Sequence, residues 1–121
     1  MKNIFAAFFL FLGLSSLAQD NKEPFSPCVS EIYVPNSFHG HGDCINDVFI
    51  PRFIGEPATY ELLIFDRWGN TIFSTTKVSE GWNGTYNGVS VKMDTYVWRL
   101  QMTCSGSEEK YTLTGHVTVI R

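Results

Sequence analysis

Charge is scarce in this 121-residue chain: Asp, Glu, Lys and Arg make up only 17%, with 9 basic residues against 12 acidic ones. No basic stripe exists to neutralise phosphates, so nucleic acid is not an expected partner. Histidine and cysteine occur three times each. No nucleophile stands with a base, no loop is built to cradle phosphate and no Ser, His, Asp set appears, which leaves no motif for catalysis. Internal repeats, low-complexity tracts and, beyond residue 18, helical periodicity are all missing. What the chain has in quantity is aromatic residues, at 15%, which is ample material for a buried core and not the composition of a disordered chain.

One apolar run stands out, from Ile4 to Leu14, preceded by Lys2 and followed by Ser15-Ser16-Leu17-Ala18. This reads as a secretory signal peptide over residues 1–18. The run is well short of the roughly 20 residues that span a bilayer, so no transmembrane anchor is expected. Ser16 and Ala18 are small enough for signal peptidase, and cleavage after Ala18 would start the mature chain at Gln19. Loss of Lys2 then leaves eight basic residues against twelve acidic ones. The expected handlers are the Sec machinery and signal peptidase, on a route through the periplasm to the surface or medium. The remaining length supports one domain with one core.

Three cysteines in an oxidising compartment allow at most one bridge within a monomer. Cys44 lies in a glycine-rich loop and Cys104 precedes the Ser105-Gly106-Ser107 turn, both at strand ends. The favoured pair is Cys44 with Cys104, leaving Cys28 spare, and the alternative is that none is bridged. Closing that loop would contribute roughly 3 to 5 kcal/mol in the chain-entropy model.

Residues 19–30 are polar and contain Pro24 and Pro27, as a short leader would. From residue 31 the hydrophobic pattern has period two. Tyr60 to Phe65 is apolar on both faces, as in a central strand. Arg67-Trp68-Gly69-Asn70 ends it, and the Gly-Asn connection suggests a hairpin into 71–75, with Ile72 and Ser74 on one face and Thr71, Phe73 and Thr75 on the other. Tyr96, Trp98, Leu100 and Met102 alternate with polar neighbours and must face the core. In the last strand Tyr111, Leu113, Val117 and Val119 point inward, and Gly115 interrupts that row, which calls for a bulge or a close backbone approach. Strands are expected at 31–34, 47–54, 59–66, 71–75, 89–92, 96–103 and 110–120. They define an all-β, antiparallel, immunoglobulin-like sandwich over residues 31–121, without the antibody Cys, Trp, Cys spacing.

Chemical motifs are few. His39-Gly40-His41-Gly42-Asp43 has the His-x-His-x-Asp form with which metallo-β-lactamase-like hydrolases begin a metal site. The further ligands and the length of such enzymes are absent, so the segment is read as a solvated loop, with Zn²⁺ or Ni²⁺ binding by His39 and His41 as the alternative. Asp43, Asn46 and Asp47 supply closely spaced oxygens of the kind a calcium turn needs, against the simpler reading of an Asx-type turn. Trp82, between Gly81 and Asn83-Gly84, is either a core plug or a ligand-stacking platform. Trp68 beside Arg67 is either a docking surface or a cover for the hairpin end.

Four clusters occur in order along the last 90 or so residues: Val34-Pro35-Asn36-Ser37-Phe38 with Asp43 to Phe49, then Ile64-Phe65-Asp66-Arg67-Trp68-Gly69, then Gly81-Trp82-Asn83-Gly84-Thr85-Tyr86-Asn87-Gly88, and Gly115-His116-Val117-Thr118-Val119-Ile120-Arg121. Together they resemble the gliding-motility-associated C-terminal domain, the type B sorting domain of the type IX secretion system of Bacteroidota. In that family the stretch holding Asp43, Asn46 and Asp47 looks like a calcium turn, with His41 and Cys44 departing from the usual Asn and Gly. Met93-Asp94-Thr95-Tyr96 also lacks a Gly often found before this Tyr, and His39-Gly40 replaces Thr-Pro.

The resemblance implies a non-catalytic export address read by outer-membrane type IX translocon components. Arg67, Trp68, Gly81, Trp82, Val119, Ile120 and Arg121 are the expected recognition residues, with Arg121 placing a guanidinium and a terminal carboxylate at one exposed point. No cofactor beyond the calcium turn is expected. Such domains usually follow a long cargo, whereas this one follows the signal segment almost directly. The alternative function is a small cell-surface module that binds protein or glycan, with Trp68 and Trp82 as anchors.

Overall fold

The computed structural model describes residues 25–40 and 47–121. The signal segment, residues 19–24 of the leader, and His41, Asp43, Cys44 and Asn46 lie outside them. Within the described residues the chain is all-β. Its strands are β1 (Val29–Tyr33), β2 (Ser37–His39), β3 (Arg52–Gly55), β4 (Thr59–Phe65), β5 (Thr71–Thr75), β6 (Thr85–Tyr86), β7 (Val89–Ser90), β8 (Thr95–Thr103) and β9 (Tyr111–Ile120). Among the described residues no helix is long and apolar enough to cross a membrane.

One layer is a five-stranded sheet in the order β2-β9-β8-β4-β5, and β1-β3 and β6-β7 form two smaller sheets. An isolated bridge between Phe49 and Trp82 lies outside these strands. The arrangement is an immunoglobulin-like sandwich. Four of the five strands in the large sheet pair antiparallel, but β2 runs parallel to β9, with Ser37 beside Thr118 and His39 beside Ile120. A uniformly antiparallel sheet was expected. The difference arises because Ser37–His39 is only three residues long, too short for alternation to be read.

The inner row runs as the period-two pattern requires: Tyr96, Trp98, Leu100 and Met102 are all buried, as are Val117 and Val119. The β8·β9 register is unbroken from Thr95↔Thr118 to Met102↔Tyr111, so Gly115 carries no bulge. A Cβ at Gly115 would lie 2.5 Å from Cζ2 of Trp98. Glycine there makes room for the indole of its cross-strand partner.

Two expected strands change shape. Residues 47–54 do not form one strand: Phe49 pairs with Trp82, and β3 begins only at Arg52. Pro51 lies between them and has no N–H to give to a ladder. In β5 the faces do not alternate as expected. A register irregularity between Ile64 and Phe65 lets Ile72 and Thr75 be buried while Phe73 packs on the core from a half-buried position. A bulge of this kind turns consecutive side chains to one side.

The disulfide joins Cys28 to Cys104, with Cα atoms 5.8 Å apart and a sequence separation of 76. The expected Cys44–Cys104 pair is therefore corrected. The physical reason lies upstream of the expected domain boundary at Glu31. Ser26 and Val29 are buried, Phe25 packs edge-on against Tyr111 at 6.1 Å, and Ser26 accepts from the Val29 amide at 3.1 Å. Residues 25–30, the end of the segment that looked like leader, thus pack on the core and bring Cys28 to the end of β8.

Candidate functional site

Described parts of all four clusters meet at one end of the sandwich, where β8 begins and β9 finishes. Three local devices build that end. The first is the turn from Asp66 to Asn70. The Gly69 amide donates to the Asp66 carbonyl at 3.1 Å, and Oδ1 of Asp66 accepts from the amides of Trp68 and Asn70, both at 2.9 Å. Oδ2 of Asp66 accepts from Nδ2 of Asn70 at 3.1 Å. The connection is a five-residue loop around a β-turn with Gly69 at φ 85°, and not a tight Gly-Asn hairpin. Desolvation works to raise the Asp66 carboxyl, but the hydrogen bonds from Asn70, Trp68 and Gly69 outweigh it and hold the group below its ordinary value. With its backbone satisfied internally, the turn presents Arg67 and Trp68 to solvent.

The second device is the segment from Gly81 to Asp94. Trp82 is fully buried, exchanges both backbone hydrogen bonds with Phe49, donates from Nε1 to the Thr85 carbonyl at 2.9 Å, and packs on Phe38 and Tyr96. A Cβ at Gly81 would come within 2.6 Å of the Phe49 carbonyl oxygen, so glycine allows that bridge to form. Asn87 and Gly88, both at positive φ, close the β6–β7 hairpin, as a two-residue type I′ loop requires. Trp82 is the core plug, and a buried indole cannot be a surface anchor. Trp68 is the opposite case at 79% exposed, so it does not cover the hairpin end.

The third device is Arg121. Its Nη2 donates to the carbonyls of Val91 at 2.7 Å and Gly84 at 3.2 Å, and its Nη1 to that of Gly40 at 3.4 Å. The same Gly84 oxygen also accepts from the Val91 amide, and the Gly40 amide donates to the Ile120 carbonyl. The guanidinium is therefore engaged by three segments, and the expectation of an exposed charge is corrected. Its planar fork can meet several carbonyls at once, which an ammonium does less well. Val119 is buried and Ile120 half-buried, and β2 covers this part of β9 as a paired neighbour.

Asp94 joins the devices. It accepts from Arg67 Nη2 and from the Thr95 amide, and its backbone carbonyl accepts from the Val119 amide. The Thr95 hydrogen bond, followed by that from Arg67, holds the Asp94 carboxyl below its ordinary value. Desolvation, reinforced by Asp94, raises the Tyr96 hydroxyl, which donates to the Lys92 carbonyl at 2.9 Å.

Between the turn and the hairpin lies a groove of about 280 Å³, lined by Asp66, Arg67, Trp68, Ile72, Tyr86, Val91, Lys92, Asp94 and Tyr96. Trp68 and Tyr86 are its exposed aromatic members. Of the expected recognition residues, Arg67 and Trp68 line this groove, Arg121 holds its Val91 wall, and Gly81, Trp82 and Val119 support the end from within. Tyr86, Lys92 and Asp94 were not anticipated. The Asn87-Gly88 pair was the available signal, because a hairpin there fixes where Tyr86 stands.

Of the calcium-turn residues only Asp47 is described. It is half-buried and lines a separate cleft of about 610 Å³ with Tyr33, Asn36 and Arg52. Among the described residues no group of three His, Cys, Asp or Glu side chains could hold a metal ion.

No curated protein matches the chain. The family model described as the CHU_C type IX secretion signal domain matches residues 32–119, a span containing both strands flanking the groove and nearly all of β9. The chain belongs to the CHU_C type IX secretion signal domain family.

Proposed function

We propose that this chain is a non-catalytic sorting domain delivered to the cell surface or medium through the periplasm, and that the end carrying Trp68 and Arg121 is what the outer-membrane translocon reads. Convergence supports the reading: the Asp66–Asn70 turn, the Gly81–Asp94 segment and the Arg121 guanidinium are distant in sequence and meet around one groove. An exposed tryptophan and tyrosine set on a hydrogen-bonded frame have the composition of a protein-docking centre, large in contact area. The role needs neither a catalytic residue nor a cofactor. Arg121 acts through the groove wall it holds, because its Nη1 and Nη2 groups are engaged by backbone carbonyls.

The test compares release of the full chain from a host with a working type IX translocon and from one lacking it. The chain is expected outside the first and held in the periplasm of the second. Equal release from both would refute the role.

A further inference from the structure

Among the described residues, the outer edge of β9 has no strand beside it over most of its length. The Val119 amide donates to the Asp94 carbonyl, and the unbroken register puts Val117, Gly115 and Leu113 in the same phase, bonded toward β8. In an antiparallel ladder the alternate residues aim both backbone groups the other way. Thr118 meets the Asn36 carbonyl there, and β2 covers β9 only from Thr118 to Ile120. Thr112, Thr114 and His116 point beyond β9, where no described strand lies.

Edges of this kind are usually guarded by charge, proline or a bulge. At the opposite edge of the sheet, β5 has the irregularity opposite Ile64 and Phe65, with Lys77 just past its end. Lys110 stands just before the β9 window as Lys77 stands just past β5, but within the window there is no Lys, Arg, Asp or Glu, no proline and no bulge. Its outward side chains are Thr112, Thr114 and His116, and its register is straight.

We propose that this edge pairs with the same edge of a second copy, antiparallel across a twofold axis at Thr114, to make one continuous sheet. The window from Tyr111 to Val117 is its own complement about Thr114: Thr112 faces His116 of the second copy, Thr114 faces Thr114, and each pair exchanges both hydrogen bonds. On the inner face, half-buried Leu113 falls opposite Gly115, which has no side chain to collide with it. Thr118, already covered by β2, falls opposite Lys110, where the strand has ended. The groove lined by Trp68 stays free on both copies, so the pairing is independent of the sorting role.

Mass measured by light scattering from micromolar to millimolar protein is expected to rise from one chain to two. Thr114→Pro removes an amide that points away from β8 and meets no partner among the described residues, and should hold the mass at one chain with an unchanged melting midpoint. In a Cys44→Ser background, Thr114→Cys should oxidise to a covalent dimer, because directly opposed hydrogen-bonded residues have Cα atoms about 5.5 Å apart, within disulfide range. Thr118→Cys, under β2, should not. A one-chain mass at every concentration, a dimer that survives Thr114→Pro, assemblies larger than two chains, or failure of Thr114→Cys to cross-link would overturn the proposal.

Discussion

The two ends of the sandwich are closed by different chemistry. Where β8 finishes and β9 begins, a covalent bond between Cys28 and Cys104 ties the first strand to the sheet, with Ser26, Phe25 and Tyr60 packed nearby. Where β8 begins and β9 finishes, a guanidinium on three carbonyls and a carboxylate on a turn do the same work. The first end tucks Phe25 and Tyr60 into the core, and the second displays Trp68 and Tyr86. A covalent lock tolerates no adjustment, whereas hydrogen-bonded loops open at lower cost. A surface that must meet a translocon is reasonably built on the second.

The largest expected effect removes what both ends share. Trp98→Ala empties the indole site opposite Gly115 and should cost about 3 to 5 kcal/mol, lowering the protection of both ends together in hydrogen exchange. Next is Cys104→Ser, which releases the covalent end at a cost of about 2 to 4 kcal/mol. Exchange should then rise in β1 and β3 while the amides of Trp68 and Asn70 stay protected. If the groove loosens equally, the ends are not independent.

Arg121→Ala reverses the pattern. Loss of a charged donor set should cost about 1 to 2 kcal/mol, with faster exchange around Gly84 and Val91 and none at Cys28. Tyr60→Phe is smaller and opposite in sign. The Tyr60 hydroxyl is buried and meets no hydrogen-bond partner among the described residues, so its removal should gain about 1 kcal/mol.

Acid separates the ends further, whereas alkali reaches a raised tyrosine at each. Asp66 and Asp94 are held below their ordinary values when folded. Their contribution is present above the unfolded carboxylate value and is lost as pH falls through the folded one, so acid should loosen the groove end first. Desolvation pushes Tyr60 up to about 12. Its ionisation costs no stability below the ordinary tyrosine value, and stability is lost as pH rises from there toward about 12. Thermal melts across both ranges, with Tyr60→Phe as reference, would show a smaller alkaline loss in the variant.

The sequence makes the middle of the molecule legible and the ends much less so. Tyr96, Trp98, Leu100 and Met102 announce their face because a long strand repeats one simple rule. Phe73 breaks that rule through a bulge, which leaves no mark in composition. Ser37–His39 is too short to show a period, and its parallel pairing depends on where β9 finishes. Cys28 sits among prolines and polar residues that resemble a leader, so its partner could be found only once Ser26 and Val29 were seen in the core. Trp68 and Trp82 have similar glycine neighbours but opposite fates. Arg121 looked like a free charge because backbone carbonyls from distant segments are invisible in a linear reading.

The most direct test of the sorting surface is the export of Trp68→Ala from a host with a working type IX translocon. At 79% exposure the side chain contributes little to folding, so the melting midpoint should stay within error of the parent. The account predicts a folded protein that accumulates in the periplasm. Release at the parental level would contradict it.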